Sequence, residues 1–455
     1  MDAPRARPRE DALDVLRAGA ILLVVAVHAA LPYIRRPIPG LAWAVADPSG
    51  TSPLFDLFCW GAMSLSNPLF FLIAGYLGAG LWESRGPAGF WANRARRVLI
   101  PFVAALIVIG PLTLGSWCLG WVTMGRISWH EVARFRFQDA VFRGNLHGPG
   151  NLWFLYDLIL MMAAWTGLRT LGLPWDRVER ALGRLADGVP GLGLLAAASA
   201  TFLWIHLRAR GIDAALDRHN TFLPDPSRVA HFFLFFLVGT GLRRVPGGLA
   251  RLWPRAGWML AASLPVFAAR AFLLGRDWDT PLDATGRAGL CALGGLLSWL
   301  LVLGSLGSAV RWIRSPKGWV RYLADASFWI TLSHMPLVAL IQVGLYGMPV
   351  HPAWKFSISL AVPMVLCLAS YQVMVRHGAI GRLLHGPKPR PDAGLFLAFA
   401  RDRKVDALVL QLRFNPWDAL GSYSGTAAPR PGACAATPTS PANAPPLARS
   451  ARPAE

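Results

Sequence analysis

The chain predicts an all-α fold, a polytopic membrane bundle of about ten transmembrane helices followed by a disordered C-terminal tail, and three observations carry this. Hydrophobic residues fill 54% of its 455 positions. Charged residues fill 15%, against roughly 25% in a soluble globular protein, and mean hydropathy is +0.41. Apolar stretches of about 20 residues, each long enough to cross about 30 Å of hydrocarbon, recur from Leu13 to Val375.

The first segment covers 12–33. It follows MDAPRARPRED, which lacks the apolar core and cleavage site of a secretory signal, so it is expected to persist as an uncleaved helix. A short connection holding Arg85, Arg94, Arg96 and Arg97 joins the second segment, 53–82, to the third, 98–121. A longer connection with Arg126, Arg134, Arg136 and Arg143 leads to the fourth, 151–172, and is long enough to build a small structure over the bundle mouth. The basic stretch from Arg169 to Arg184 precedes the fifth, 189–208, and the sixth covers 229–243. Arg243 to Arg255 leads to the seventh, 257–275, and the eighth covers 287–310. Arg311 to Arg321 leads to the ninth, 323–348, and Lys355 stands at the head of the tenth, 354–376. Short basic connections alternate with less densely charged ones, so both termini are expected in the cytoplasm. The setting expected is a bacterial inner membrane.

Beyond about His385 the composition turns to Pro, Ala, Ser, Thr and Arg, which cannot bury enough apolar surface to fold. The expected organisation is a membrane domain over 1–385 and a Pro/Ala/Arg-rich cytoplasmic tail over 386–455, in which 393–414 has an irregular amphipathic pattern. A net charge of +20 invites a nucleic-acid partner. The positive residues are spread through the connections and tail, however, with no long basic arm and no binding motif, which argues against one. Four of the 45 basic residues are Lys, so the preference for Arg reads as compositional bias. Trp43, Trp82, Trp121, Trp153, Trp175, Trp278 and Trp312 stand at segment ends, where interfacial indoles belong. The five cysteines are isolated and lack metal-ligand spacing, so they read as packing residues and no metal site is expected.

The most informative feature lies in DVLRAGAILLVVAVHAA, where ten residues separate Arg17 from His28. An eleven-residue step turns a helix about 20° past three full turns and rises about 16 Å. The two side chains therefore share a face, with Arg17 near the membrane edge and His28 near its middle. An intramembrane cation and imidazole are tolerated where they face a polar interior, and such residues default to function.

Five stretches follow in order: the Arg17/His28 pair, NPLFFLIAGYL (67–77), a basic turn and proline in FWANRARRVLIPF (90–102), GNLWFLYDLILMM (150–162), and ASFWITLSHMPLV (326–338). The series resembles the acyltransferase 3 family of integral membrane acyltransferases over residues 10–380. HFFLFFLVGTGL (231–242) and RYLADASFWITLSHMPL (321–337) look most like its glucan biosynthesis protein C branch, which succinylates periplasmic glucans. The resemblance implies acyl transfer from a cytoplasmic acyl-CoA, succinyl-CoA or acetyl-CoA, to a carbohydrate hydroxyl on the far side, with no permanently bound cofactor. It implies His28 as catalytic base with Arg17 as its partner, and Arg94 and Arg97 as holders of the CoA phosphates. Gly75 with Tyr76 matches a small-aromatic step, and His334 with Pro336 a late-helix motif. Asn151 stands where many relatives carry His, and Ala74 where Ser is common.

The residues themselves suit that chemistry. A sugar hydroxyl needs a base, which a neutral imidazole provides. Arginines one helical turn apart can hold phosphates bidentately, although a basic helix end also serves topology and lipid headgroups. His334 shares a helix face with Ser327 and Thr331, a stripe fit either to position the acceptor or to bond neighbouring helices. Asp325 faces the opposite side. Asp157, early in the fourth helix behind Trp153, is a candidate site residue or half of an ion pair. Trp153 is a stacking surface for sugar rings or an interfacial anchor. His231 reads as interfacial and structural, and His130, His147, His206 and His219 are scattered without metal spacing. An O-acetyltransferase acting on lipopolysaccharide, exopolysaccharide or a small molecule is the nearest alternative. An exporter of a lipid-linked glycan is the alternative from another class, disfavoured because no internal repeat is visible.

Overall fold

Proline and small polar residues open most of the helices. Ser52 accepts a hydrogen bond from the Leu54 amide just before Pro53, Asp225 accepts from the Ser227 and Arg228 amides beyond Pro226, Asp283 accepts from Gly286, and His351, before Pro352, accepts from Ala353. Each satisfies amide donors that a helix start leaves unpaired. The structure, a computed structural model, describes residues 8–381 apart from 39–40, 139–141, 144–147, 212–219, 314–317, 377 and 379, with side chains from Asp11 onward. The helices are α1 (Pro8–Ala30), α2 (Pro53–Arg94), α3 (Ile100–Thr123), α4 (Trp129–Arg134), α5 (Trp153–Thr170), α6 (Trp175–Leu185) and α7 (Val189–Arg210). They continue as α8 (Pro226–Arg244), α9 (Trp253–Asp279), α10 (Ala284–Trp312), α11 (Gly318–Leu345) and α12 (Pro352–Ser370). No strand occurs among the described residues.

All ten expected segments fall on helices. Eight helical stretches are long and apolar enough to cross a membrane, and one of them, Pro53–Thr123, holds both α2 and α3. α8 carries Arg228 and His231 among its phenylalanines and packs between α2, α6 and α7. Its contact with α2 is set by glycine: a Cβ on Gly75 would overlap the Phe236 carbonyl, and one on Gly239 would overlap that of Leu72. Such close backbone approach is how helices associate where hydrophobic driving force is absent. The core behind them is aromatic, with Trp299 stacked on Phe235 at 3.9 Å and donating to Ser199 Oγ at 2.8 Å.

Several sequence expectations change here. The basic turn between the second and third segments is helical. Gly86 alone leaves the helix, at φ 66°, and Pro87 restarts it, so Arg94 lies at the end of α2 and Arg97 in a π-turn, Ala95–Leu99, that runs into α3. The basic stretch 169–184 is partly α6, whose buried Glu179 accepts from Trp165 Nε1 and Arg169, each at 2.7 Å. Lys355 is not a loop cation. It is fully enclosed and pairs with Asp47 Oδ2 at 2.7 Å, because a buried ammonium requires a partner. Among the expected interfacial indoles, Trp312 is exposed, but Trp121 is fully buried and donates to the Trp43 carbonyl at 3.0 Å. His231 is also buried, between the rings of Phe232 and Phe235, since α8 is enclosed by its neighbours. The expected tail, the amphipathic pattern at 393–414, His147 and His219 lie outside the described residues.

Candidate active site

α1 and α11 pack against each other and bring two histidines together. His28 lies in the last turn of α1. Its Nδ1 stands 2.9 Å from His334 Nε2, with the rings near-parallel and their centroids 5.1 Å apart. His334 Nδ1 in turn lies 2.7 Å from the carbonyl oxygen of Ile330. A carbonyl can only accept, so His334 Nδ1 carries the proton and its Nε2 presents a lone pair. His28 then donates from Nδ1, and its own lone pair falls on Nε2, the tautomer of a base. The indole of Trp43 stacks on His28 at 5.5 Å. Gln342 ties the arrangement down, donating to the His28 carbonyl at 2.9 Å and accepting from Trp43 Nε1 at 2.8 Å.

Two cavities meet near this pair. The histidine cavity, about 100 Å³, is lined by His28, His334, Trp43, Asn67, Trp153 and Arg228, among others. The arginine cavity, about 550 Å³, is lined by Arg17, Arg85, Arg94, Arg97, Asp14 and Asp325, together with apolar residues of α2 and α5. Phe70, Phe154 and Thr331 line both and form the boundary between them.

The sequence-derived candidates distribute over this pair of spaces. Arg17 and His28 share α1 but line different cavities, and Arg17 is half-exposed and paired with Asp14 at 3.2 Å. Arg94 stands over the Phe90 ring at 5.5 Å with its Nε buried and not hydrogen-bonded among the described residues. The stripe on α11 runs from one cavity to the other: Ser327 lines the arginine cavity, Thr331 both, and His334 the histidine cavity. Ser327 donates to the Ala324 carbonyl at 2.7 Å, Thr331 to the Ser327 carbonyl at 2.8 Å. Trp153 lines the histidine cavity, whereas Asp157 is fully buried behind it, 3.4 Å from Arg228 Nη2.

Arg228 and Gln342 escaped the sequence reading, whereas Asn67 was quoted only within a motif and Trp43 only among the segment-end indoles. An apolar run broken by one Arg, as in RVAHFF, was the available signal for Arg228. Nothing local marks Gln342, whose partners are more than 290 residues away. Among the described residues no cluster of His, Cys, Asp or Glu has metal-ligand geometry.

A family profile described as an acyltransferase domain matches residues 10–372. The chain belongs to the acyltransferase 3 family. It is an integral membrane acyltransferase that moves groups other than amino-acyl groups, and the match spans every helix from α1 to α12. No curated protein and no solved structure matches it.

Proposed function

We propose that this acyltransferase takes a short acyl group, succinyl or acetyl, from cytoplasmic acyl-CoA and passes it to a hydroxyl of a periplasmic or cell-surface glycan, with His28 as general base. The observation that carries the reading is the junction of a cationic cavity with a histidine-lined one at Phe70, Phe154 and Thr331. CoA phosphates suit Arg94 and Arg97, whose forks form charge-assisted bonds to phosphate oxygens, with Arg17 and Arg85 adding positive potential. The thioester end then extends toward His28 past the boundary that Phe70, Phe154 and Thr331 share.

In this mechanism His28 Nε2 takes the proton of the acceptor hydroxyl as its oxygen attacks the thioester carbon. The tetrahedral intermediate collapses, the C–S bond breaks, and the His28 imidazolium returns its proton to the leaving sulfur, so that CoA departs as the thiol and the base is regenerated. The imidazolium formed on His28 is stabilised by His334 Nε2, which accepts its Nδ1–H. The acceptor enters the histidine cavity, where Trp153 and Trp43 offer aromatic faces to a sugar ring. The resemblance of HFFLFFLVGTGL and RYLADASFWITLSHMPL to the glucan biosynthesis protein C branch supports a glucan acceptor, and the charge asymmetry of the connections supports an inner-membrane protein with both termini in the cytoplasm. Mass spectrometry of periplasmic and surface glycans from a deletion strain tests this. Loss of an acyl ester, restored by the intact gene, is the expected result, and an unchanged glycan profile would reject the acceptor class.

A further inference from the structure

Apart from its two imidazoles, the histidine cavity has one charged residue among its described lining, Arg228. That side chain is buried, with its guanidinium over the Trp153 ring at 5.2 Å. Its Nη2 lies 3.4 Å from Asp157 Oδ2, and neither Asp157 oxygen accepts a hydrogen bond from another described residue. Asp157 is fully enclosed and lines neither cavity, so its role is to balance the cation in the wall. The wall carries a guanidinium fork but no net charge.

This balance bears on the acyl group, and the argument rests on the acyl-CoA reading above. With the CoA arm in the arginine cavity and the thioester carbon brought to His28, whatever lies beyond the carbonyl projects into the histidine cavity. A succinyl tail would bring a carboxylate to an arginine whose charge is already matched. The trio of Asp157, Arg228 and the tail would hold a net negative charge in an enclosed space, and an unmatched buried charge is strongly disfavoured. An acetyl tail brings no charge and leaves the pair intact.

We infer that the Arg228–Asp157 pair makes this acyltransferase select an uncharged short acyl group of the acetyl type over one ending in a carboxylate, with Asp157 as the specificity-determining residue. Removing the Asp157 charge while keeping its shape leaves Arg228 as an unmatched cation, which welcomes a carboxylate.

The test measures binding of CoA, acetyl-CoA and succinyl-CoA to the purified full-length protein. The parent is expected to bind acetyl-CoA at least about tenfold more tightly than succinyl-CoA, a difference of about 1.4 kcal/mol. Asp157→Asn is expected to erase or invert that ratio, and Asp157→Asn with Arg228→Gln to restore the acetyl preference in a wall without charge. If the single variant fails to fold, the parent ratio and the double variant decide. Equal affinities for the two thioesters in the parent, or a ratio that Asp157→Asn leaves unchanged, would overturn the inference alone. Absence of binding by all three ligands in the parent would overturn the acyl-CoA reading, and the inference with it.

Discussion

His28 Nδ1 and His334 Nε2 meet at 2.9 Å across two helices that lie 306 residues apart in sequence. The Ile330 carbonyl, by accepting from His334 Nδ1, sets the proton positions of both rings. His334 is on this account a positioning residue, acting through His28.

Replacing His334 with Ala should lower kcat by roughly 10²-fold or more, as removal of the group that orients a catalytic imidazole does, while KM for acyl-CoA stays within a few-fold. The pH profile should also move, because His28 loses its acceptor. A purely structural role predicts instead a loss of folded protein with kcat per folded molecule unchanged.

Arg94→Ala and Arg97→Ala should weaken acyl-CoA use more than acceptor use. A charge-assisted hydrogen bond contributes about 1.5 to 3 kcal/mol, or roughly 10- to 150-fold in affinity. Lysine at either position should rescue part of the loss, since it keeps the charge without the planar fork. Both measurements belong in purified protein, where membrane insertion is complete. Parent-like binding by both alanine variants would make these arginines topological.

Gly75→Ala should destabilise the bundle by about 1 to 3 kcal/mol or more, because the new Cβ has the Phe236 backbone in its way and not a movable side chain. Thermal unfolding in detergent reads this directly. Gly115→Ala, where no atom lies within 4 Å of the added Cβ, is the matched control.

The loop carrying Trp43 is held at Asp47, whose carboxyl burial alone would raise in pKa. Hydrogen bonds from Lys355 and Ser49 reverse this and hold it below the usual carboxylate range. A depressed folded pKa contributes stability that is present above the unfolded value of about 4 and is lost as pH falls through the folded one. Melting temperature should therefore drop below about pH 4 in the parent, and this component of the drop should vanish in Asp47→Asn. That variant should also be less stable at neutral pH by about 3 to 5 kcal/mol, since it strands a buried Lys355.

Nine of the ten expected segments were legible because each is a long apolar run, and backbone polarity leaves a helix as the way to cross lipid, whereas α8, where the sixth falls, is not among the described helices long and apolar enough to cross. Arg17 and His28 lie on one unbroken helix, as the helix-face argument expects, but they line different cavities, and the partner of Arg17 is Asp14. What stayed hidden depends on contacts across the chain. The His28–His334 bond, the Gln342 clamp and the Arg228–Asp157 pair join elements 71 to 314 residues apart, and no local pattern encodes such partners. The connection holding Arg85, Arg94, Arg96 and Arg97 read as a basic turn. In the structure Gly86 leaves the helix and Pro87 restarts it, so Arg94, Arg96 and Arg97 of that connection sit on helical backbone.

Direct measurement of acyl transfer by His28→Ala bears hardest on the central claim. Vesicles carrying the variant in a deletion background receive labelled acyl-CoA, and label in glycan is counted per folded molecule, with acyl-CoA binding checked in parallel. The account predicts a fall of about 10² to 10⁴-fold in transfer with binding retained. Transfer at near-parent rates by a folded His28→Ala protein would contradict it.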